Sequence, residues 1–113
     1  MKQEWINALR SGKYKQGRSK LRHDDHFCCL GVLCDLVNKD NWQEHPHYNL
    51  PPSWVDMTGT YNAGGLPIPL GERLFTAKNH SVSDVFYFLA LKNDNGYSFE
   101  EIADYIEAEL EDK

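Results

Sequence analysis

Two adjacent groups of residues in this chain are of types that could do chemistry. The first is Cys28, placed where an apolar run begins. A thiol at a helix N-terminus gains thiolate character from the helix dipole and from a neighbouring imidazole. His26 and His47 are the candidate bases, with His23, His45 and His80 also in the chain. Asp24 and Asp25 work against this chemistry, because negative charge beside a thiol raises its pKa. A free cysteine also serves commonly as a small hydrophobe, so catalysis by Cys28 stands as an alternative, a small cysteine hydrolase.

The second group is basic. Lys13, Lys15, Arg18 and Arg22 could grip phosphates, Tyr14 could stack on a base, and Gly12 and Gly17 would let the backbone come close. The candidate ligand-binding set is therefore Lys13, Tyr14, Lys15, Gln16, Arg18 and Arg22, with Cys28 and Gly31 at the start of the element that follows. The aromatic and glycine-rich stretches Trp42 to Tyr48 and Tyr61 to Gly65 are candidates for an opposite wall; loops covering the central helix are the simpler reading of them.

The formal net charge of −5 argues against a general nucleic-acid coat, but the charges are unevenly placed. Arg10, Lys13, Lys15, Arg18, Lys20 and Arg22 place half of the 12 basic residues in one acid-free segment. Glu100, Glu101, Asp104, Glu107, Glu109, Glu111 and Asp112 crowd the other end. Either the two ends dock on each other, or the basic surface is reserved for an anionic ligand.

Other motifs read less well. His23, His26, Cys28, Cys29 and Cys34 suggest zinc, but structural sites present Cys-x2-4-Cys pairs on a turn, whereas Cys28 and Cys29 diverge on a helix and Cys34 is over a turn away. Ser98 to Ala103 looks like the first helix of a helix-turn-helix, yet no recognition helix follows, so duplex DNA is not an expected partner. Placing Gly96 sixth in an EF-hand loop puts Leu91 and Ile102 where carboxylates belong. No metal or cofactor is expected.

These residues need elements to position them. Trp5, Ile6, Ala8 and Leu9 have helical spacing from Gln3 to Arg10, with Ser11-Gly12 as a stop. Gly12 to His23 reads as a loop or a short strand pair. Asp24 and Asp25 can accept the free amides of a first helical turn, so a central helix is expected from about Asp25 to Lys39. At about 100° per residue its apolar side chains cover most of the circumference. A narrow wedge of Cys28, Gly31, Asp35, Asn38 and Lys39 is left, which makes Cys28 the thiol expected at the surface and Gly31 a flat spot for a backbone or a ligand.

Leu50 to Val55 reads as a loop feeding a short helix with proline in its first turn. Leu66 to Leu70 and Arg73 to Thr76 are candidate edge strands. Ser81 to Asp84 is an N-cap cluster for a helix over Val85 to Lys92, ended by Asn93 to Gly96. Ser98 and Glu101 match a capping box, and Phe99, Ile102, Ala103, Ile106 and Leu110 form the stripe of a last helix.

A chain of 113 residues suits one domain burying roughly two thirds of its unfolded surface. No window approaches the roughly 18 to 20 apolar residues of a membrane span, and the first residues have no signal-peptide apolar region, so a cytoplasmic protein without a membrane partner is expected. Three cysteines, two adjacent, suit a reducing compartment.

The segments Ala8 to Gly17, Phe27 to Asp35, Leu50-Pro51 with Trp54, and Asn93 to Ala103 span almost the whole chain. In combination the sequence resembles a family of small uncharacterised proteins encoded by tailed bacteriophages and prophages. The resemblance implies a phage accessory protein acting in the cytoplasm of a bacterial host, and it supplies no mechanism. The expectation is a single α+β domain with a buried central helix, a C-terminal helical hairpin and a small β element. The expected function is non-enzymatic capture of a phosphate-bearing small molecule or nucleotide signal. The alternatives are a protein inhibitor of a host enzyme, with the acidic helix mimicking nucleic acid, and the cysteine hydrolase. A homo-oligomer is compatible with each.

Overall fold

The computed structural model describes residues 1–37 and 67–113, together with the backbone of strands 43–44 and 49–50. The chain opens with helix α1 (Lys2–Arg10), whose Trp5, Ile6 and Leu9 are buried. Three two-residue strands follow, β1 (Lys15–Gln16), β2 (Arg22–His23) and β3 (His26–Phe27). Strand β3 lies between the other two, parallel to β1 and antiparallel to β2.

Helix α2 (Cys29–Val37) is the centre of the core, and every residue from Cys29 to Cys34 is buried. It begins later than the two aspartates suggest. Asp24 adopts a left-handed φ of 55° and turns the chain between β2 and β3, so the segment before the helix is strand, not cap. The expected end at Lys39 lies outside the described residues, as do the short helix near Pro51 and the aromatic loops. Strands β4 (Gln43–Glu44) and β5 (Asn49–Leu50) pair antiparallel.

Helix α3 (Ile68–Leu74) occupies much of the region expected to form two edge strands. Pro67 and Pro69 fit its first turn, where the missing amide hydrogen has no helical acceptor. Gly71 lets α3 close on α4: a Cβ there would lie 2.5 Å from the Phe86 ring. Only the end of the expected second strand survives, as β6 (Phe75–Ala77). It pairs with the C-terminal strand β7 (Leu110–Asp112), not with a neighbour in sequence.

Helix α4 (Val82–Asp94) starts directly after Ser81, whose Oγ accepts the Asp84 amide at 3.0 Å, three residues earlier than expected. Gly96, with φ of 94°, reverses the chain into α5 (Phe99–Glu109), and the reciprocal Ser98–Glu101 capping box is present. Helices α4 and α5 form the C-terminal hairpin, and α1 packs along α5. Trp5 joins the layers: its indole donates to the Cys29 carbonyl at 2.9 Å and its ring stacks on Phe75 at 5.6 Å. The result is an α+β domain built around a buried helix. Among the described residues no helix is long and apolar enough to cross a membrane.

Candidate functional site

The basic segment, residues 12–23, leaves α1 through a turn fixed by Ser11. The Ser11 hydroxyl donates to the Ala8 carbonyl at 2.7 Å and accepts the Lys13 amide at 3.1 Å, and Gly12 reverses the chain at φ of 76°. The loop then lies across the polar wedge of α2. Tyr14 packs edge-on against Phe27 and its hydroxyl donates to the buried Asp35 carboxylate at 2.6 Å. Burial, and then the hydrogen bond to Asp35, hold the Tyr14 hydroxyl protonated well above its usual range. The Leu21 carbonyl sits over Gly31, where any Cβ would come within 1.8 Å of it. The flat spot expected at Gly31 is therefore filled by the chain's own backbone.

Asn93 ties the loop to two helices. It is fully buried in the last turn of α4, where its Nδ2 donates to the Gly17 carbonyl at 2.7 Å. Its Oδ1 accepts from the Cys29 amide at 3.2 Å and from Gln16 Nε2 at 3.0 Å. The first turn of α2 thus takes an acceptor from a distant asparagine, since helix starts leave amides without internal partners. Gln16 also donates to the Tyr97 carbonyl at 2.8 Å. Asp94 accepts the amide of Ser19, which has a left-handed φ of 64°, at 2.8 Å. Buried polar groups of this kind are costly unless paired, and here each finds a partner.

Backbone and mostly uncharged side chains do the anchoring, so several cations are left outward. Lys13 and Arg18 are exposed and Lys20 is half-buried; among the described residues none of the three side chains forms an ion pair or hydrogen bond. Lys15 pairs with Asp25 at 2.7 Å, and that hydrogen bond holds the Asp25 carboxyl below its ordinary range. Arg22 donates to the Asp24 carbonyl and lies over the Phe27 ring at 5.1 Å. Arg10 reaches α5, donating to Asp104 and Glu107.

Beside the loop tip stands Tyr97, 43% exposed, with Lys92 Nζ 4.6 Å from its ring centre. Arg18 Nη2 reaches to 3.5 Å from where a Cβ on Gly96 would be, so the guanidinium lies against the turn that precedes Tyr97. A recess of about 50 Å³ opens between Ser19, Lys20, Cys28, Leu30 and Asp94. Pockets that enclose small molecules run to roughly 300–1,000 Å³.

The thiols do not face solvent. All three cysteines are buried, Cys28 included, contrary to its expected place at the surface. Cys28 precedes α2, so helical spacing does not govern its direction, and its amide is held by the Leu21 carbonyl at 3.1 Å. Burial pushes the Cys28 thiol up to about 11, and Cys29 well above its ordinary value. His26 is exposed and paired with Asp25 at 2.9 Å; no hydrogen bond joins it to Cys28. His47 lies outside the described residues. Among those described, no three His, Cys, Asp or Glu side chains converge as a metal site requires.

The acidic end is differently disposed. Glu101 closes the capping box, Asp104 and Glu107 hold Arg10, Glu109 accepts from Asn79, and Glu111 pairs with Lys78. Asp112 takes the N-terminal ammonium and the Lys2 amide. Among the described residues Glu100 alone of the seven has no such partner.

Asn93, Asp94 and Tyr97 are site residues that motif reading passes over. Asn93 did leave a signal: it falls in line with Val82, Val85, Phe86 and Leu89 on the buried stripe of α4, where an amide is out of place unless it is bonded. A family model described as Domain of unknown function (DUF8296) matches residues 1–110 of the chain. No curated protein and no solved structure matches it.

Proposed function

For a chain that belongs to the family of the Domain of unknown function (DUF8296), we propose a non-enzymatic protein that captures a phosphate-bearing anion on the outer face of the basic loop. One observation carries this reading: among the described residues Lys13, Arg18 and Lys20 have no internal partner, on a loop whose backbone is fixed by Asn93, Tyr14, Gln16 and Asp94. Cations on a fixed backbone bind an anion without first paying to order the loop, which is the general advantage of preorganisation. The deeply buried thiols give a nucleophile no support, and the acidic helix has few free carboxylates with which to mimic nucleic acid.

The resemblance to small tailed-phage and prophage proteins supports a setting in the cytoplasm of a bacterial host, where phosphate-bearing signals are abundant targets for sequestration. Calorimetric titration with ATP and with inorganic phosphate, at low and at moderate salt, tests the proposal. Binding that weakens with salt and falls roughly tenfold or more in the Arg18→Ala and Lys20→Ala variants is expected, as for a lost charge-assisted hydrogen bond. Absence of heat from every phosphate ligand at low salt would overturn it.

A further inference from the structure

Resting on that reading, we infer that the anion held at the basic loop is the backbone of a single-stranded nucleic acid, with Arg18 and Lys20 on its phosphates and Tyr97 stacked on a base. The recess beside the loop is about 50 Å³, so no nucleotide is enclosed there. A mononucleotide on an open surface keeps most of its area in water and gains from few contacts. A polymer presents phosphate after phosphate to the same cations, and linked contacts raise one another's effective concentration.

The neighbours of the cations are of the matching kind. Tyr97 is bound through its carbonyl to Gln16 of the loop, its side chain is exposed, and Arg18 lies against Gly96, the residue before it. Lys92 lies over one side of that ring and over Tyr105, adding a cation beside it. Cationic residues interleaved with exposed aromatics are what single strands require, because every base has a stacking face whatever its sequence. Asp94, at the base of the same tip, is the opposing charge: it fixes Ser19 while repelling phosphate.

Fluorescence anisotropy with labelled oligothymidylate and oligouridylate, beside ATP and an unlabelled inorganic polyphosphate as competitors, tests the inference. At least one oligonucleotide is expected to bind more than tenfold tighter than ATP and to resist polyphosphate of equal charge. Which of the two wins decides between DNA and RNA as the source. Tyr97→Ala is expected to weaken the oligonucleotide roughly five- to a hundredfold, as for one lost base stack, and to cost inorganic polyphosphate, which has no base, a clearly smaller factor. Tyr97→Trp restores the loss. Asp94→Asn, which keeps an acceptor for Ser19, tightens both ligands. ATP binding as tightly as either oligonucleotide, or oligonucleotide binding indifferent to Tyr97→Ala, overturns the inference and leaves anion capture standing. If neither ATP nor oligonucleotide binds, both fail.

Discussion

In α5 and β7 the carboxylates other than Glu100 are tied into the fold, to a helix start, to Arg10, to Asn79, to Lys78 and to the N-terminus. In the basic loop the reverse holds: Lys13, Arg18 and Lys20 point outward while Tyr14, Gln16, Asn93 and Asp94 fasten the backbone. Two charge runs that look like mirror images in the sequence thus differ in what they do. The acidic one helps to close the ends of the chain together. The basic one is carried by a structure that does not need its free charges, and that difference is the physical case for a ligand on the basic side.

The largest expected effect comes from removing the anchor. Asn93→Ala leaves the part-buried Gly17 carbonyl and the buried Cys29 amide without their partner. At about 1–3 kcal/mol for each buried group left unsatisfied, the loss should be about 3 kcal/mol, a large part of a domain's usual margin. Urea denaturation measures it, and limited trypsin digestion at Arg18 and Lys20 reports whether the loop comes free. A variant of wild-type stability with a protected loop would show that the cations themselves hold the loop down, and the contrast with the acidic end would collapse.

A second effect reads the cover that the loop provides. The Cys28 thiol is raised from 9.0 in the unfolded chain to about 11 in the folded protein. The folded value is the higher, so the unfolded chain loses its proton first and stability falls as pH rises through that window. The full window corresponds to about 2–3 kcal/mol, with Cys29 acting in the same direction. Denaturation midpoints of wild type and Cys28→Ala between about pH 8 and pH 11 isolate the contribution, because other alkaline titrations are common to both. A wild-type curve parallel to that of the variant would place the thiol in contact with solvent.

The elements that could be read from sequence were those with local causes. Ser98 with Glu101, the Ser81 cap, the turn at Gly96 and the stripe of Ile102, Ala103 and Ile106 all act within a few residues of themselves. The buried character of α2 was equally plain from Cys29 to Leu36. What escaped was decided by distant partners. Asp24 and Asp25 have cap chemistry, but β1 and β2 claim the segment beside them for a sheet, and the helix start is served by Asn93 from the other end of the chain. Strand β6 exists because β7 lies alongside it. At the site, the cations were legible as a cluster; their freedom was not, since it depends on which residues anchor the loop. The wedge on α2 was likewise visible, and its occupant was the same loop that carries the charges.

The smallest expected effect separates the two kinds of contact within the acidic end itself. Ser98→Ala removes a helix cap whose hydroxyl accepts the Glu101 amide at 3.2 Å, a loss of about 1 kcal/mol that salt should leave nearly unchanged. Arg10→Gln removes the bridge to Asp104 and Glu107, where both carboxylates are well exposed. Its cost should be the lesser of the two and should disappear in about 1 M salt, where screening acts within roughly 3 Å. Denaturation midpoints of both variants at low and high salt make the comparison. If Arg10→Gln proves the costlier and keeps its cost in salt, the pairing of α1 with α5 is a structural lock. The free cations of the loop would then differ from Arg10 in kind, because one basic residue would be fixed by the fold while its neighbours a few positions on remain available to a ligand.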